Sequence, residues 1–316
     1  MRNAASYYIS KGCGYIERPG AAGAWTALAC RHSMATVLLT LLAVLGPERP
    51  AHAAAADPGR GPGSVELDVH SDYSHIRVKR LGNVRSLYFV RQGGEEALET
   101  SLNLTRPYEM IVPYSRFMFA SYLFQPKQQK VLIVGLGGGA MVHFYRHHDP
   151  EVGVEAVEID PTVVDIADRY FHIRPEKNIR IITGDGLRYV RETKSRYDVI
   201  CLDVFLKPSA DTDPTGVPLR QKTVEFYKAL QEKLAPEGVA AVNLNVHAGT
   251  PDDLAVLRAA FPQVYVFRVP GGNLVVVGSA AKPRLDMTVL RQRAAEADRR
   301  LKATFAFPEL LTALER

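Results

Sequence analysis

Short apolar runs alternate with amphipathic segments over the second half of the chain. The apolar runs predict β-strands at residues 131–134, 153–158, 179–183, 199–203, 239–244, 264–269 and 274–278. Helical spacing between them predicts helices at residues 141–147, 162–169, 186–192, 223–234 and 254–260. This alternation favours an α/β fold, with a mostly parallel, doubly wound sheet and helices on both faces. Only Pro270-Gly271-Gly272-Asn273 separates the last two strands, so we expect them to form a hairpin at one edge of the sheet.

Shorter strand-like runs precede this region, at residues 65–69, 75–79 and 86–90. They contain aromatic and β-branched residues and are separated by turns with Gly and Asn. We therefore expect a small antiparallel β domain over residues 64–105 and a larger α/β domain over residues 106–316. Residues 108–124 have helical spacing and predict one helix. Its apolar face would consist of Met110, Ile111, Tyr114, Phe117, Met118 and Tyr122.

The N-terminus has a different pattern. Residues 34–46 form an unbroken apolar run that is too short to cross a bilayer as a helix. Arg31 and His32 precede the run and Ala51-His52-Ala53 follows it, as in a secretory signal peptide. We expect a leader over residues 1–53, export to the periplasm or the medium, and a linker over residues 54–63. The alternatives are an uncleaved leader, which would be the only contact with a membrane, and a cytoplasmic protein in which the run is a buried helix.

The composition is that of an ordinary globular protein, with 47% hydrophobic and 23% charged residues in a chain of 316. The formal net charge is +5, but the leader holds five basic and two acidic residues, which leaves +2 for the rest. We therefore expect no nucleic-acid partner. Cys13 and Cys30 lie in the leader. Cys201, in an apolar strand, has no partners at metal-ligand spacing, so we expect a core residue there and no metal site.

Four of the predicted parallel strands end in residues that suit a ligand. Glycines follow the first strand, where they let the backbone turn tightly and a ligand approach closely, and acids end the next three. These residues are Gly135, Gly137, Gly138, Glu158, Asp185 with the neighbouring Gly186, and Asp203. One such acid would more often be a helix cap or a solvated residue. Three of them at successive strand ends would share one crevice of a doubly wound sheet, which favours a binding site.

The charge of this crevice restricts the ligand. A dinucleotide carries a pyrophosphate, which needs a helix N-terminus and few nearby acids. The glycine turn GLGGGA also lacks the Lys-[Ser/Thr] ending of a phosphate-binding loop. An acid-rich crevice suits a cationic nucleoside without phosphate, and S-adenosylmethionine or its decarboxylated form fits this description.

Five strings carry a family resemblance: VLIVGLGGGA, VEAVEIDPTVVDIADRYF, IRIITGDGLRYV, YDVICLDVF and VEFYKALQEKLAPEGVAAVN. Together they resemble the polyamine aminopropyltransferases, that is, spermidine synthase and its relatives. The resemblance implies a Rossmann-like S-adenosylmethionine-type domain after a small β domain, often as a homodimer. It also implies that Glu158 holds the ribose, that Asp185 and Gly186 hold the adenine, and that Asp203 accepts the proton of an attacking amine. We add Asp160, from the EIDP string, to the predicted nucleoside-binding residues.

The sequence departs from the family pattern at several positions and is more similar to a divergent branch. Gly138-Gly139-Ala140 stands where the family carries an acid that anchors the aminopropyl donor. Asp211-Thr212-Asp213-Pro214 follows Asp203 only after an insertion, and Glu99 lies near the place of a glutamine. We retain Tyr114, Asp211 and Asp213 as candidates to contact the amine.

These features predict an enzyme that transfers an aminopropyl group from decarboxylated S-adenosylmethionine to a small-molecule amine. One alternative is a methyltransferase, which would use S-adenosylmethionine in the same crevice. The other is a secreted, non-enzymatic protein of the same fold that binds nucleosides or polyamines.

Overall fold

A four-stranded antiparallel sheet forms the N-terminal part of the computed structural model, which describes residues 63–315. Its strands follow one another in chain order and are β1 (Ser64–His70), β2 (His75–Leu81), β3 (Val84–Val90) and β4 (Glu96–Asn103). The small antiparallel sheet predicted from the sequence is thereby confirmed. Strand β4 had no separate prediction because its sequence, EALETSLN, is largely polar and does not alternate.

Several predictions fall on residues outside the described range. These are the signal peptide, its cleavage site after Ala53, Cys13, Cys30, and the linker up to residue 62. They stay predictions, as do the domain boundaries. Within residues 63–315, no helix is both long and apolar enough to cross a membrane.

The single helix predicted over residues 108–124 is wrong. The segment contains two short helices, α1 (Pro113–Met118) and α2 (Ser121–Phe124), and residues 108–112 are not helical. The cause is Pro113, which disfavours helical backbone at the residue before it, and Val112 is extended (φ −72°, ψ 125°). Proline is well suited to the first position of a helix, so α1 begins there. Both short helices still bury their apolar side chains, among them Phe117 and Tyr122.

A seven-stranded sheet forms the larger part of the fold, and each of its strands matches a predicted one. They are β5 (Lys130–Val134), β6 (Gly153–Glu158), β7 (Ile179–Thr183), β8 (Tyr197–Leu202), β9 (Leu234–Asn245), β10 (Gln263–Val269) and β11 (Asn273–Ser279). Their spatial order is β10-β11-β9-β8-β5-β6-β7. Strands β5 to β9 pair in parallel, and β11 is antiparallel to both β9 and β10. The predicted hairpin at one edge of the sheet is therefore present.

Helices cover both faces of this sheet. They are α3 (Ala140–His148), α4 (Pro161–Phe171), α5 (Gly186–Glu192), α6 (Val224–Gln231), α7 (Thr250–Ala260), α8 (Met287–Leu301) and α9 (Phe307–Leu310). One apolar core contains side chains of α1–α4, α8, α9 and the small sheet, and a second core contains those of α5–α7. The sequence did not predict α8 and α9. The predicted helix 223–234 ends early, because residues from Leu234 onward already belong to β9.

The order of the strands in the large sheet determines where a ligand site can form. Strand β5 has β6 on one side and β8 on the other, so the chain reverses its direction of winding between β5 and β8. A crevice opens at such a switch point, outside the carboxyl ends of the parallel strands. The ends of β7, β6, β5 and β8 follow one another along this crevice.

Candidate active site

The glycine turn after β5 has a backbone that only glycine adopts without strain. Gly135, Gly137 and Gly139 all have positive φ angles, of 92°, 52° and 70°. A Cβ atom on Gly135 would lie 2.0 Å from the carbonyl oxygen of Asp203. The turn after β5 and the end of β8 are therefore in direct backbone contact, and any side chain at Gly135 would force them apart.

Glu158, the last residue of β6, points at this turn. One of its carboxylate oxygens accepts the backbone N–H of Leu136 (2.8 Å), and the other accepts that of Asp160 (3.0 Å). Burial raises the pKa of Glu158, and these backbone donors oppose the shift. The carboxylate is thus fixed in place beside the cavity, where its remaining acceptor positions can receive ribose hydroxyls.

Asp160 has a different environment from Glu158. It is the N-cap residue of α4, and one of its oxygens accepts the backbone N–H of Thr162 (2.8 Å). Its other oxygen accepts the hydroxyl of Ser71, from the turn between β1 and β2. Asp160 is only 2% exposed and does not line the cavity described below. In the structure its carboxylate joins α4 to the small sheet.

Asp185 caps α5 and also forms an ion pair. Its Oδ1 accepts the backbone N–H groups of Leu187 (3.0 Å) and Arg188 (3.2 Å), and its Oδ2 pairs with the guanidinium of Arg220. Burial alone would raise the pKa of Asp185, but Arg220 and the backbone donors bring it below its ordinary value. The neighbouring Gly186 is packed so closely that a Cβ would lie 2.3 Å from the Val134 side chain. Sequence reasoning missed Arg220, because no local pattern distinguishes it from a surface arginine.

Asp203 follows β8 directly and is held by two donors. The amide of Asn243 donates to one carboxylate oxygen (2.9 Å), and the hydroxyl of Tyr114 donates to the other (3.0 Å). Burial raises the pKa of Asp203, and both hydrogen bonds oppose the shift. Burial also raises the pKa of Tyr114, so the phenol keeps its proton and remains a donor. The sequence did not indicate Asn243, which lies near the carboxyl end of the neighbouring strand β9.

Glu99 brings a further carboxyl to the same place from β4. Burial and the nearby Asp203 and Glu158 carboxylates together raise the pKa of Glu99 to about 8, against the opposing effect of Arg91. The adjacent Thr100 accepts the backbone N–H of Gly138 on its hydroxyl (2.9 Å). Strand β4 therefore contacts the glycine turn and closes one side of the site.

These residues surround one cavity that is partly open to solvent, with about 670 Å³ of empty space including the open side. Most of the predicted site residues line it: Gly135, Gly137, Glu158, Asp185, Gly186, Asp203 and Tyr114. Gly138, Asp160, Asp211 and Asp213 do not.

Known proteins resemble this chain over most of the described fold. The family model of the spermine/spermidine synthase domain matches residues 113–260. The polyamine aminopropyltransferase of Vibrio vulnificus is 31% identical over 223 residues, which are 69% of this chain and 72% of that protein. The chain belongs to the spermine/spermidine synthase family. The family resemblance stated from the sequence is thereby confirmed.

Two solved structures add to this. A spermidine synthase in complex with the transition-state analogue AdoDATO superposes on this chain with a TM-score of 0.60 at 20% identity. The match covers 79% of this chain and 84% of that one, and it shows that the fold is shared. Human methyltransferase-like protein 13, in complex with SAH, has a TM-score of 0.55 at 28% identity, over 61% of this chain and 94% of that one. The family and this methyltransferase together support aminopropyl or methyl transfer, with a substrate related to S-adenosylmethionine.

The two acids proposed to hold the far amine lie away from the cavity of this spermidine synthase-like protein. Asp211 is exposed in the segment between β8 and α6. Asp213 is buried and forms an ion pair with Lys222 (2.7 Å), which also pairs with Asp253 (2.7 Å). His247 completes the cluster, at 2.9 Å from Asp253. Asp213, Asp253 and His247 have the proximity of metal ligands, but the ammonium of Lys222 already lies among them.

Proposed function

We propose that this chain transfers an aminopropyl group from decarboxylated S-adenosylmethionine to a small amine, with Asp203 as the proton acceptor. The observation that carries the proposal is the environment of Asp203. Its carboxylate is half-buried at the wall of the cavity, beside the glycine turn, and is oriented by Tyr114 and Asn243. A fixed carboxylate beside a nucleoside site is what deprotonation of an attacking amine requires.

The proposed reaction needs little besides positioning and one proton acceptor. The amine nitrogen attacks the methylene carbon beside the sulfonium, a C–N bond forms, and the C–S bond breaks with its electron pair on sulfur. The products are 5′-methylthioadenosine and the extended amine, and the proton of the attacking nitrogen passes to Asp203. The raised pKa of Asp203 strengthens it as a base relative to an ordinary aspartate. Because the sulfonium is a good leaving group, alignment of the two reactants supplies much of the rate.

The strand order supports a pose for the donor. Adjacent strands are roughly 4.8 Å apart, so the four strand ends from β7 to β8 span about 14 Å. Adenine would lie at Asp185 after β7, the ribose at Glu158 after β6, the sulfonium over the glycine turn after β5, and the reacting arm near Asp203 after β8. Arg220 would have to share Asp185 with the adenine amine or move away from it.

The test of this function identifies the nucleoside product. The purified protein is incubated with decarboxylated S-adenosylmethionine or with S-adenosylmethionine, together with putrescine and a panel of other amines. We expect 5′-methylthioadenosine with the decarboxylated donor. We expect Asp203→Asn to lower turnover by about two to four orders of magnitude and to leave donor binding in place. Asp252→Asn, an exposed change on α7, is the matched control and should have no effect.

Thermal unfolding of the Asp203→Asn protein is measured in parallel as a check on its stability. The NH₂ group of the new asparagine would face either the Tyr114 hydroxyl or the Asn243 amide, and both of these are donors. Loss of donor binding together with turnover would assign Asp203 to the donor pocket instead. Tight donor binding without any product in the unchanged protein would contradict the proposal and favour the non-enzymatic binding protein.

Methyl transfer is the second candidate, and one observation favours it. The human methyltransferase is 28% identical to this chain over a large shared region, and it was solved with SAH, the product of methyl transfer. Formation of S-adenosylhomocysteine from S-adenosylmethionine, in place of 5′-methylthioadenosine, would identify this activity in the same assay.

A further inference from the structure

Glu99 lies where three open spaces meet. It lines the main cavity and also a cleft that leads past Phe89, Leu206 and Lys207 toward the surface. It lines a second cleft as well, together with Leu136, Ala140 and Asp203, beside the start of α3. Its side chain is thus accessible to a ligand from several directions, although most of its surface is covered by protein.

Every other carboxylate that lines the cavity already has partners. Glu158 accepts two backbone N–H groups, Asp185 pairs with Arg220, and Asp203 accepts from Tyr114 and Asn243. The Glu99 carboxyl, in contrast, has no hydrogen bond or ion pair with any residue between 63 and 315. The hydroxyl of Tyr114 approaches only the backbone carbonyl of Glu99, at 3.3 Å. Glu99 is half-buried, and a partly desolvated carboxylate without a protein partner favours either its protonated form or a bound cation.

The charged groups around Glu99 shift the pKa of its carboxyl in opposite directions. The Asp203 and Glu158 carboxylates disfavour a further negative charge, whereas the Arg91 guanidinium favours it but does not reach ion-pair distance. Tyr114 stays neutral between Glu99 and Asp203. Because burial and the two neighbouring carboxylates bring the pKa of Glu99 to about 8, its carboxyl is mostly protonated at pH 7 while the cavity holds no cation. A bound cation would reverse this balance and release the proton.

The position of Glu99 along the crevice indicates which cation it meets. Thr100, the next residue, contacts the glycine turn, and Asp203 raises the pKa of Glu99. Glu99 therefore belongs to the end of the crevice where the arm of a sulfonium nucleoside would lie. No acid could serve this end from Gly138, because a Cβ there would be 2.8 Å from the Thr100 side chain and 3.0 Å from the Phe171 ring.

We propose that Glu99 binds the primary ammonium of the donor's side arm. The ligand is the terminal ammonium of the aminopropyl group, and in S-adenosylmethionine it is the α-ammonium, so the same contact serves both candidate donors. The inference rests on the proposed function in one respect, namely that a sulfonium nucleoside occupies the cavity. Glu99 orients the arm so that its reacting carbon faces Asp203, and it favours nucleosides that carry an ammonium over those that do not.

The experiment compares ligands with and without the ammonium. We expect Glu99→Gln to weaken binding of decarboxylated S-adenosylmethionine by about tenfold to a hundredfold, the range for a lost charge-assisted hydrogen bond. Binding of 5′-methylthioadenosine, which has no amine on its arm, should change less than twofold. Glu95→Gln, an exposed change in the turn between β3 and β4, is the matched control and should affect neither ligand. Isothermal titration calorimetry at pH 7 measures all three proteins.

Calorimetry in buffers with different ionisation heats supplies a second measurement. Donor binding to the unchanged protein at pH 7 should release up to one proton, and 5′-methylthioadenosine should release none. Glu99→Gln should abolish the release. Proton release that persists in Glu99→Gln would identify Asp203 as its source and overturn the proposal.

Three other outcomes would also overturn the proposal, and they separate it from the proposed function. Equal weakening of both ligands by Glu99→Gln would mean that the residue supports the pocket as a whole. Unchanged donor affinity would mean that the arm ammonium binds elsewhere, while the proposed transferase function could stand. Failure of the unchanged protein to bind either nucleoside would refute both.

Discussion

At the scale of single residues, the site contains four acids, and their different environments give them different charges and hydrogen-bonding capacities. Glu158 is fixed by two backbone donors, Asp185 is paired with a cation, Asp203 is oriented by two side chains, and Glu99 has no partner among the described residues. Only Asp185 has a lowered pKa, because only Asp185 has a cation within ion-pair distance. Four carboxyls within one cavity can therefore bind a hydroxyl, an amine or a proton separately.

Glu158→Gln tests the ribose contact. A glutamine keeps the shape but places an NH₂ group against one of the backbone N–H donors of Leu136 and Asp160. We expect 5′-methylthioadenosine to bind at least about tenfold more weakly, because the hydroxyls lose a charged acceptor, and the protein to lose about 1–3 kcal/mol of stability. Calorimetry and urea unfolding measure the two effects. A folded variant with unchanged nucleoside affinity would mean that Glu158 serves only the glycine turn.

Residues that end strands could be identified from the sequence, and residues that approach from elsewhere could not. Glu158, Asp185 and Asp203 each follow an apolar run, so their place at the crevice follows from the topology alone. Arg220 reaches the same crevice from a short 3₁₀ helix, and Asn243 lies inside a predicted strand, two residues before the end of β9, rather than after an apolar run. Glu99 was noticed only through a family pattern. Nothing in its local sequence predicts that burial beside two acids raises its pKa to about 8.

At the scale of elements, the segment between β8 and α6 forms one wall of the cavity. Val204, Phe205, Leu206 and Pro218 of this segment line it. Asp213 holds the segment together, since it accepts the backbone N–H groups of Thr215 (2.8 Å) and Val217 (3.0 Å) and pairs with Lys222. Asp213, which was predicted to contact the amine, thus contributes to the fold of the wall rather than to its surface.

Lys222→Met tests this role of the ion-pair cluster. Removing the ammonium leaves the buried Asp213 and Asp253 carboxylates without their shared cation. We expect a loss of about 1–4 kcal/mol in stability, between the values for exposed and buried pairs, and faster hydrogen exchange at the amides of Thr215 and Val217. Lys228→Met, an exposed change on α6, is the control. Unchanged exchange at both amides would show that Asp213 holds the segment without Lys222.

The elements themselves were predictable where the apolar pattern was strong. All seven strands of the large sheet are apolar runs and were found, whereas the half-exposed β4 and the strongly charged α8 were not. The helix over residues 108–124 failed for a different reason. Its apolar spacing is genuine, because four of the six predicted side chains, Met110, Phe117, Met118 and Tyr122, are buried. Pro113, however, changes the backbone that carries them.

At the scale of the whole molecule, the small sheet and the large sheet share one apolar core. Ile76, Val78 and Leu87 of the small sheet belong to the same cluster as Val131 and Ile133 of β5. The cavity accordingly has walls from both, with Glu99 and Thr100 on one side and the strand ends on the other. A ligand in it would contact both parts of the fold, so binding should stabilise the described region as one unit. The homodimer suggested by the family resemblance stays a prediction.

We predict that the leader directs export of the protein. We expect the mature protein to begin at Ala54, within a few residues, because Ala51-His52-Ala53 follows the apolar run at residues 34–46. Cell fractionation followed by N-terminal sequencing measures both the compartment and the cleavage site. A cytosolic protein that retains residues 34–46 would contradict the signal-peptide interpretation. A membrane-bound form of full length would identify the run as an anchor.

The contact between Gly135 and Asp203 restricts how such a site can change during evolution. Because no side chain fits at Gly135, a substitution there would displace the proposed proton acceptor together with the turn. The shape of the donor pocket and the position of Asp203 are therefore linked, and a mutation in the glycine turn would change both together. The Glu99 side chain is not constrained in this way, although the adjacent Thr100 contacts the turn, since Glu99 reaches the cavity from a separate sheet. New donor or acceptor preferences on this scaffold should therefore arise from position 99 more readily than from the glycine turn.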